Sequence, residues 1–380
     1  MRLLDKNNYK KIQLPFKIKS PVLAFGSQAK NTLCFAKGNV ALLSRIHSDL
    51  SLQKDYYDFE NDSMDLLKRR PKILAIDLHQ EYGSSKFAAT LSPSTYYLQP
   101  VQHHHAHIAS CMAENGLKSQ KVIGVAFDGT GLGPDNRLWG AEFLICDYKD
   151  FIRGAHLKEI PLLGGERAII EPWRLACFWL YLAYKDRFLD LKIKFVKNID
   201  RKKWQILKNM YLADFNAPLA SSMGRLFDAA ASIVLARYNA AFEAQLAIEL
   251  EKKCAGILLN QRADYNFKII KRENKFVIDP VPMFKEIVAD LENKERQEDI
   301  ANKFHFTVAR MIRKTCIILR DEYKINKVVL SGGCFQNNIL FRSACALLSK
   351  EEFEVVTHKI LPCNDACISL GQAVITATRN

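Results

Sequence analysis

Four of the nine histidines of this 380-residue chain fall within five positions, in Val101-Gln102-His103-His104-His105-Ala106-His107. The residues before them, Tyr96 to Val101, read as a strand. Those after them, Ile108 to Ala113, form a small apolar run that closes on Glu114-Asn115-Gly116. A strand that passes directly into a helix ending at glycine restricts the local fold to an α/β unit. It also puts the histidines at the carboxyl end of a strand, where open α/β sheets bind ligands. On a helix His103 and His107 are i and i+4, so their imidazoles share one face, about one turn apart. That spacing lets two nitrogens reach one divalent metal, while His104 and His105 point elsewhere. The same pattern also suits a polar helix start with solvated histidines, because HxxxH here lacks the glutamate of a metalloprotease motif.

Other apolar runs end in similar ways. Lys72-Ile73-Leu74-Ala75-Ile76-Asp77 is a short buried strand closing on Asp77-Leu78-His79. Val122 to Phe127 runs into Asp128-Gly129-Thr130-Gly131, and Leu138 to Ile145 is its return strand, so the glycines are expected to form a hairpin turn. Backbone N–H groups in such a turn can approach a phosphate, and the aspartate can hold a metal or orient a nucleophile. Near the end of the chain, Lys327-Val328-Val329-Leu330 leads into Ser331-Gly332-Gly333-Cys334-Phe335-Gln336-Asn337-Asn338 and then a helix from Ile339 to Leu348. Strand, Gly-Gly turn and helix N-terminus make either a phosphate cradle or an ordinary βα turn. Asn364-Asp365 opens the last helix, where a carboxylate also suits the helix dipole.

Residues 1–19 read as a basic tail. Strand-like segments follow from Pro21, with a turn at Lys37-Gly38-Asn39 and a helix within Asp49–Arg70. From about 165 to 325 the pattern is mainly helical, with starts at Glu171-Pro172-Trp173-Arg174 and Ser221-Ser222-Met223-Gly224, and a hairpin around Arg272-Glu273-Asn274. The expected organisation is a lobe over 20–119 and a second lobe over 120–380 carrying that helical insertion. Two strand-rich lobes around a nucleotide cleft would be the bilobal actin-like ATPase architecture. Asp365 could then complete the histidine site from across the cleft, which composition alone does not establish.

Composition narrows the function class. No run of 18 uncharged apolar residues marks a membrane span, and the N-terminus lacks the apolar segment of a signal peptide, so a cytoplasmic location is expected. Ten scattered cysteines without a CxxC pair fit reduced thiols. The formal charge of +14 favours an acidic partner or anionic ligand. Its densest stretch, Lys185 to Lys208, has nine basic residues against three acidic ones. Phe188, Phe195 and Trp204 are its only rings, so a solvated face is expected there rather than a nucleic-acid site.

Taken together, these motifs resemble one family, the C-terminal transferase domain of HypF, the carbamoyltransferase of [NiFe]-hydrogenase maturation. Lys30-Asn31-Thr32, Asp77-Leu78-His79, Val101 to His107, Val125 to Gly131, Glu171 to Arg174, Asn216 to Leu219, Ser221 to Asp228, Leu330 to Asn337 and Ile368 to Ala373 carry the resemblance, in family order. It implies transfer of a carbamoyl group from carbamoyl-adenylate to the C-terminal cysteine thiolate of a HypE-like acceptor, on the way to the cyanide ligand of the hydrogenase iron. It implies a divalent metal, iron or zinc, on His103, His107 and Asp365. Asp128 would lie beside phosphate and metal. Gly129, Thr130, Gly131, Gly224, Asp228, Gly332, Gly333 and Asn337 would hold the adenine nucleotide, with Asp228 at the ribose, and Mg²⁺ is compatible with its phosphates.

HypF ordinarily carries acylphosphatase, zinc-finger and YrdC-like domains ahead of this region, so a separate YrdC-like protein is expected to supply the adenylate. The chain departs from the family at Ala366-Cys367, where Gly-Gly is usual, at Arg45-Ile46-His47-Ser48, where Gln-His-Ile-Gly is usual, and at Ala141, where glycine is usual. Side chains at 366 and 367 are expected to crowd the site. The related tRNA threonylcarbamoyl transferases share the HxxxH motif and a Ser-Gly-Gly turn. That activity, or a non-catalytic nucleotide-binding scaffold, stands as the alternative.

Overall fold

The computed structural model describes residues 9–91, 96–254 and 264–380. Its fold is the α/β, bilobal actin-like arrangement, built on two sheets. The first has the order Cys34–Leu43, Lys10–Ala24, Ile73–Asp77, Tyr97–Val101. Its first pair is antiparallel and the other pairings are parallel. Among the described residues the second sheet has nine strands. Its centre repeats the same plan: Phe151–Leu157, Leu138–Cys146 and Val122–Leu132 run antiparallel, and Lys327–Ser331 and Glu354–Thr357 continue in parallel.

Strand alternation sorts the side chains into layers. In the first sheet Leu23 and Phe25 face the helices Gln53–Leu67 and Gly83–Thr90, and Val22 and Ala24 face the middle of the molecule. In the second sheet Ile123, Val125 and Phe127 face the large helical core, and Val122 and Ala126 face the middle. The middle layer holds two helices, the histidine helix His103–Glu114 and the C-terminal helix Ile368–Arg379. Every residue from His103 to Ala113 is buried. The Gln102 side chain caps this helix by accepting from His105 N, and Gly116, at φ +69°, follows its end.

The structure corrects three expectations. Lys10 to Lys19 are not tail but the first ten residues of a 15-residue strand. Ile12, Leu14 and Ile18 are buried, while Gln13, Lys17 and Lys19 are exposed, so a period-2 pattern lies beneath the basic charge. Residues 1–8 lie outside the described residues. The Asp128-Gly129-Thr130-Gly131 segment is not the hairpin turn. It continues the strand Val122–Leu132, with a register shift between Phe127 and Gly131, and the chain turns over Gly133–Arg137. The Asp135 carboxylate holds that turn by accepting from Arg137 N and Trp139 Nε1.

Chain order assigns the last helix to the second lobe, yet it packs against the first sheet and the histidine helix. Close approach at Gly371 permits this, since a Cβ there would overlap the Ala106 carbonyl oxygen. Among the described residues no helix is long and apolar enough to cross a membrane.

Because that overlap is with backbone on both sides, Gly371→Ala is expected to cost about 3 kcal/mol or more of stability. Urea denaturation measures it, and a midpoint equal to wild type would contradict the crossing.

Candidate metal and nucleotide site

The histidine helix points two of its imidazoles into one polar centre. His103 Nδ1 donates to Asp77 Oδ2 at 2.9 Å, which turns Nε2 toward Asp128 Oδ2 at 3.3 Å. His107 Nε2 lies 3.1 Å from the same oxygen. Asp365 Oδ1 stands 3.8 Å from both Nε2 atoms. Ligand atoms of His103, His107, Asp128 and Asp365 all fall within 4.8 Å of one another. The i, i+4 pair therefore converges, and His104 and His105 do point away. His104 Nδ1 meets Gln102 Nε2 at 3.0 Å, and His105 Nε2 donates to the Asp147 carbonyl at 2.6 Å. The expected ligand set had Asp365 as its only carboxylate, yet Asp128 approaches the imidazoles more closely.

The electrostatics of the centre are those of buried charge. Burial opposes a charge on His103, but the carboxylates of Asp77, Asp128 and Asp365 outweigh it and hold its pKa well above the usual value. Burial likewise acts against ionised Asp128, and the two imidazoles outweigh it and hold that carboxyl low. Asp365 has no such partner at close range. Burial, then repulsion from Asp128, pushes it up to about 6. Two imidazole nitrogens and two carboxylates, with an orienting hydrogen bond behind His103, are the donor set and support that a divalent transition metal uses. These residues fit such a metal.

In front of the centre is a cavity of about 600 Å³. Asp128, Gly129, Thr130, Gly224, Gly333, Asn337 and Asp365 line it, from four separate stretches of chain. Gly333 N donates to Asp128 Oδ1 at 3.2 Å, so the Gly-Gly turn and the metal centre share that carboxylate. Three of the expected nucleotide residues stand outside the lining. Gly131 packs beneath the histidine helix, where a Cβ would lie 2.8 Å from His104 and 2.9 Å from His103. Gly332, at φ +105°, turns the chain against the Phe127 backbone. Asp228 is buried behind the wall, 3.0 Å from Arg225 Nη1, and burial raises its carboxyl to about 6.

Cys367 does not crowd the cleft as expected. Its sulfur turns behind the site, 3.4 Å from His107 Nδ1, while Ala366 is buried and its carbonyl accepts from Thr32 Oγ1.

Several residues of the site have no single-sequence signal. Lys30 and Tyr82 bring the first lobe to the cavity, and Phe242 and Ile248 supply apolar surface at the opposite side. Arg225 lies in the wall between Asp228 and Glu243, whose Oε1 accepts from Nη2 at 2.7 Å. His305, inside the helix Gln297–Tyr323, donates from Nδ1 to the Ala301 carbonyl at 2.7 Å and accepts at Nε2 from Asn337 Nδ2 at 2.9 Å. Asn337 also caps its own helix by accepting from Leu340 N at 2.9 Å, so its amide is held at both ends. The helical spacing around residue 305 shows only that it faces the core.

Residues 124–372 match the family described as carbamoyltransferase, Kae1-like domain, second subdomain, and residues 17–114 match the HypF Kae1-like domain. The chain belongs to the HypF carbamoyltransferase family. It is 36% identical to the carbamoyltransferase HypF of Synechocystis, over 95% of this chain and 48% of that protein. It thus spans about half the length of several HypF proteins that it matches. A HypF homolog of Cupriavidus necator is 32% identical, and there the match covers 94% of this chain and 92% of the other. A crystal structure of full-length HypF in a phosphate- and nucleotide-bound form superposes with a TM-score of 0.89 at 39% identity, covering 97% of this chain and 57% of that one. HypF of T. kodakarensis superposes with a TM-score of 0.84 at 26% identity, over 97% and 48% of the two chains.

His305 generates a pH prediction. Burial lowers its pKa from 6.5 to about 4, against the hydrogen bond to Ala301. Below pH 6.5 the unfolded chain takes up a proton that the folded one refuses until about pH 4, so this group removes stability as pH falls through that window. Between pH 7 and pH 5, His305→Gln is expected to lose roughly 2 kcal/mol less unfolding free energy than wild type. Equal pH slopes in urea denaturation would show that His305 is not held neutral.

Proposed function

We propose that this chain transfers a carbamoyl group from carbamoyl-adenylate to the C-terminal cysteine thiolate of a HypE-like acceptor, within cyanide-ligand synthesis for [NiFe]-hydrogenase. The observation that carries this reading is the convergence of His103, His107, Asp128 and Asp365 at the wall of a nucleotide-sized cavity, in a member of the HypF family. A divalent cation, iron or zinc, held by these four residues would supply Lewis-acid polarisation of the carbamoyl oxygen or charge neutralisation at the phosphate.

The chain's own residues account for the rest. Gly129, Thr130 and Gly333 let backbone approach the phosphate of the adenylate, and Lys30 and Arg225 bring positive charge to the cavity lining. Phe242 and Ile248 offer apolar surface to the adenine, and Asn337, fixed by His305, shapes the same cavity. Attack comes from outside. Cys334 lines the cavity, but burial and then Asp128 hold its thiol well above the usual range, so it stays protonated and is a poor nucleophile. The acceptor's thiolate attacks the carbamoyl carbon and AMP departs as a stabilised anion. In this reading the adenylate comes from a YrdC-like donor, and the centre described here serves only the transfer half.

Incubating the chain with carbamoyl-adenylate and a peptide ending in cysteine tests this. Mass spectrometry should show one carbamoyl added to the peptide, with His103→Ala and Asp128→Asn slower by about a hundredfold or more. The chain alone should show no carbamoyl-phosphate-dependent ATP–pyrophosphate exchange. Robust exchange, or transfer unaffected by both substitutions, would sink the proposal.

A further inference from the structure

The cleft leaves one set of buried polar groups beside the histidine helix unexplained. Glu114, on the last turn of that helix, has a fully buried side chain, and that of His358 is 4% exposed. The Glu114 carboxylate accepts from the backbone N–H groups of Lys359 at 2.5 Å, Ile360 at 3.3 Å and Leu361 at 2.9 Å. His358 Nδ1 stands 3.4 Å from its Oε2 without closing a hydrogen bond to it. The other nitrogen of His358, Nε2, lies 2.8 Å from Ser331 Oγ, and Ser331 Oγ lies 3.2 Å from His107 Nδ1. A continuous row of polar atoms therefore runs from a buried carboxylate, through an imidazole and a hydroxyl, to the back of His107.

The chemistry of these groups orders the row. An ionised carboxylate only accepts, so Glu114 selects the His358 tautomer with Nδ1–H turned toward it. Nε2 of His358 is then an acceptor and takes the Ser331 hydroxyl proton. The Ser331 oxygen keeps lone pairs for His107 Nδ1–H, which leaves the Nε2 lone pair of His107 aimed at Asp128 and Asp365. Asp77 achieves the same for His103 in a single step. Cys367 Sγ also lies 3.4 Å from His107 Nδ1, but sulfur is the weaker acceptor.

We infer that Ser331, His358 and Glu114 are positioning residues, a relay that fixes the tautomer and ring orientation of His107 as Asp77 does for His103. The inference rests on reading the four-donor centre as a metal site. Under the competing account, Glu114 merely clamps the segment 359–361 to the helix and His358 fills space.

Zinc titration of the full chain, with thermal unfolding of each metal-free variant, separates the two accounts. Wild type should bind Zn²⁺ and His103→Ala should lose it. Ser331→Ala and His358→Leu should each weaken zinc binding by roughly ten- to a hundredfold. His358→Gln, whose amide oxygen can accept from Ser331, should recover most of that loss, although His358→Leu and His358→Gln unfold at similar temperatures. If Ser331→Ala and His358→Leu keep wild-type zinc affinity while His103→Ala does not, the relay is overturned and the metal centre stands. If wild type binds no zinc, the centre falls and the relay with it.

Discussion

The cleft depends on a helix with no solvent-facing side. His103 to Ala113 are buried between two sheets, and the C-terminal helix crosses them at Gly371. Burying four imidazoles in such a layer is costly unless each finds a partner. His103 uses Asp77, His104 uses Gln102, His105 uses the Asp147 carbonyl and His107 uses Ser331. His104 Nε2 and His105 Nδ1 remain without one. Burial accordingly lowers these two to about 3 and about 4, so they stay neutral and behave as packing groups. His103 is the opposite case, because carboxylates face both of its nitrogens. One sequence cluster is thus divided by its surroundings into two structural and two chemically engaged histidines.

The same surroundings divide the carboxylates. Asp77 is committed behind His103, and Asp128 is held ionised by both imidazoles and by Gly333 N–H. Asp365 faces the imidazoles only at 3.8 Å and is pushed up to about 6. Three carboxylates against two imidazoles leave buried negative charge that protons or a cation must balance. Asp365 is the member with the least fixed protonation, and it also borders the cavity. Binding in the cavity and the charge state of the centre are therefore coupled through that residue.

How much of this was legible in the sequence follows the range of the interactions. The His103–His107 pair and the Gly-Gly turn are local patterns, and they were visible as helical spacing and as strand-turn-helix punctuation. That Asp365 approaches the pair from the far end of the chain, and that Asp77 supports His103, came only through family resemblance or not at all, since each contact joins residues far apart in sequence. Ser331, His358 and Glu114 gave no sign, because a serine after a strand and a histidine in a loop are ordinary residues until the fold joins them. The misreading of Lys10–Lys19 has a different cause. Charge on the outward positions of a half-buried strand masked the alternation of Ile12, Leu14 and Ile18. At Asp128–Gly131 the glycines suggested a turn, whereas they allow an irregular strand to pass close beneath the histidine helix.

The crossing also decides which parts of the cleft can move independently. Gln372 on the C-terminal helix accepts from Gly26 N at 2.8 Å and donates to Gly26 O at 3.1 Å. Thr32 Oγ1 reaches Ser369 Oγ at 2.6 Å and the Ala366 carbonyl at 2.9 Å. The segment from Gly26 to Thr32, which includes cavity-lining Gln28 and Lys30, is therefore stitched to the turn that carries Asp365. These bonds are buried, so opening them would leave unpaired polar groups in the core. Asp365 consequently belongs mechanically to the first-lobe wall, although it follows the second sheet in the chain. The opposite wall is formed by Phe242, Glu243 and Ile248, whose segment is tied to the Arg225 side of the cleft through the exposed Glu243 carboxylate. Adjustment to a nucleotide is cheapest there, where the exposed Glu243 carboxylate can turn to water and the buried Arg225 guanidinium keeps Asp228 as its partner.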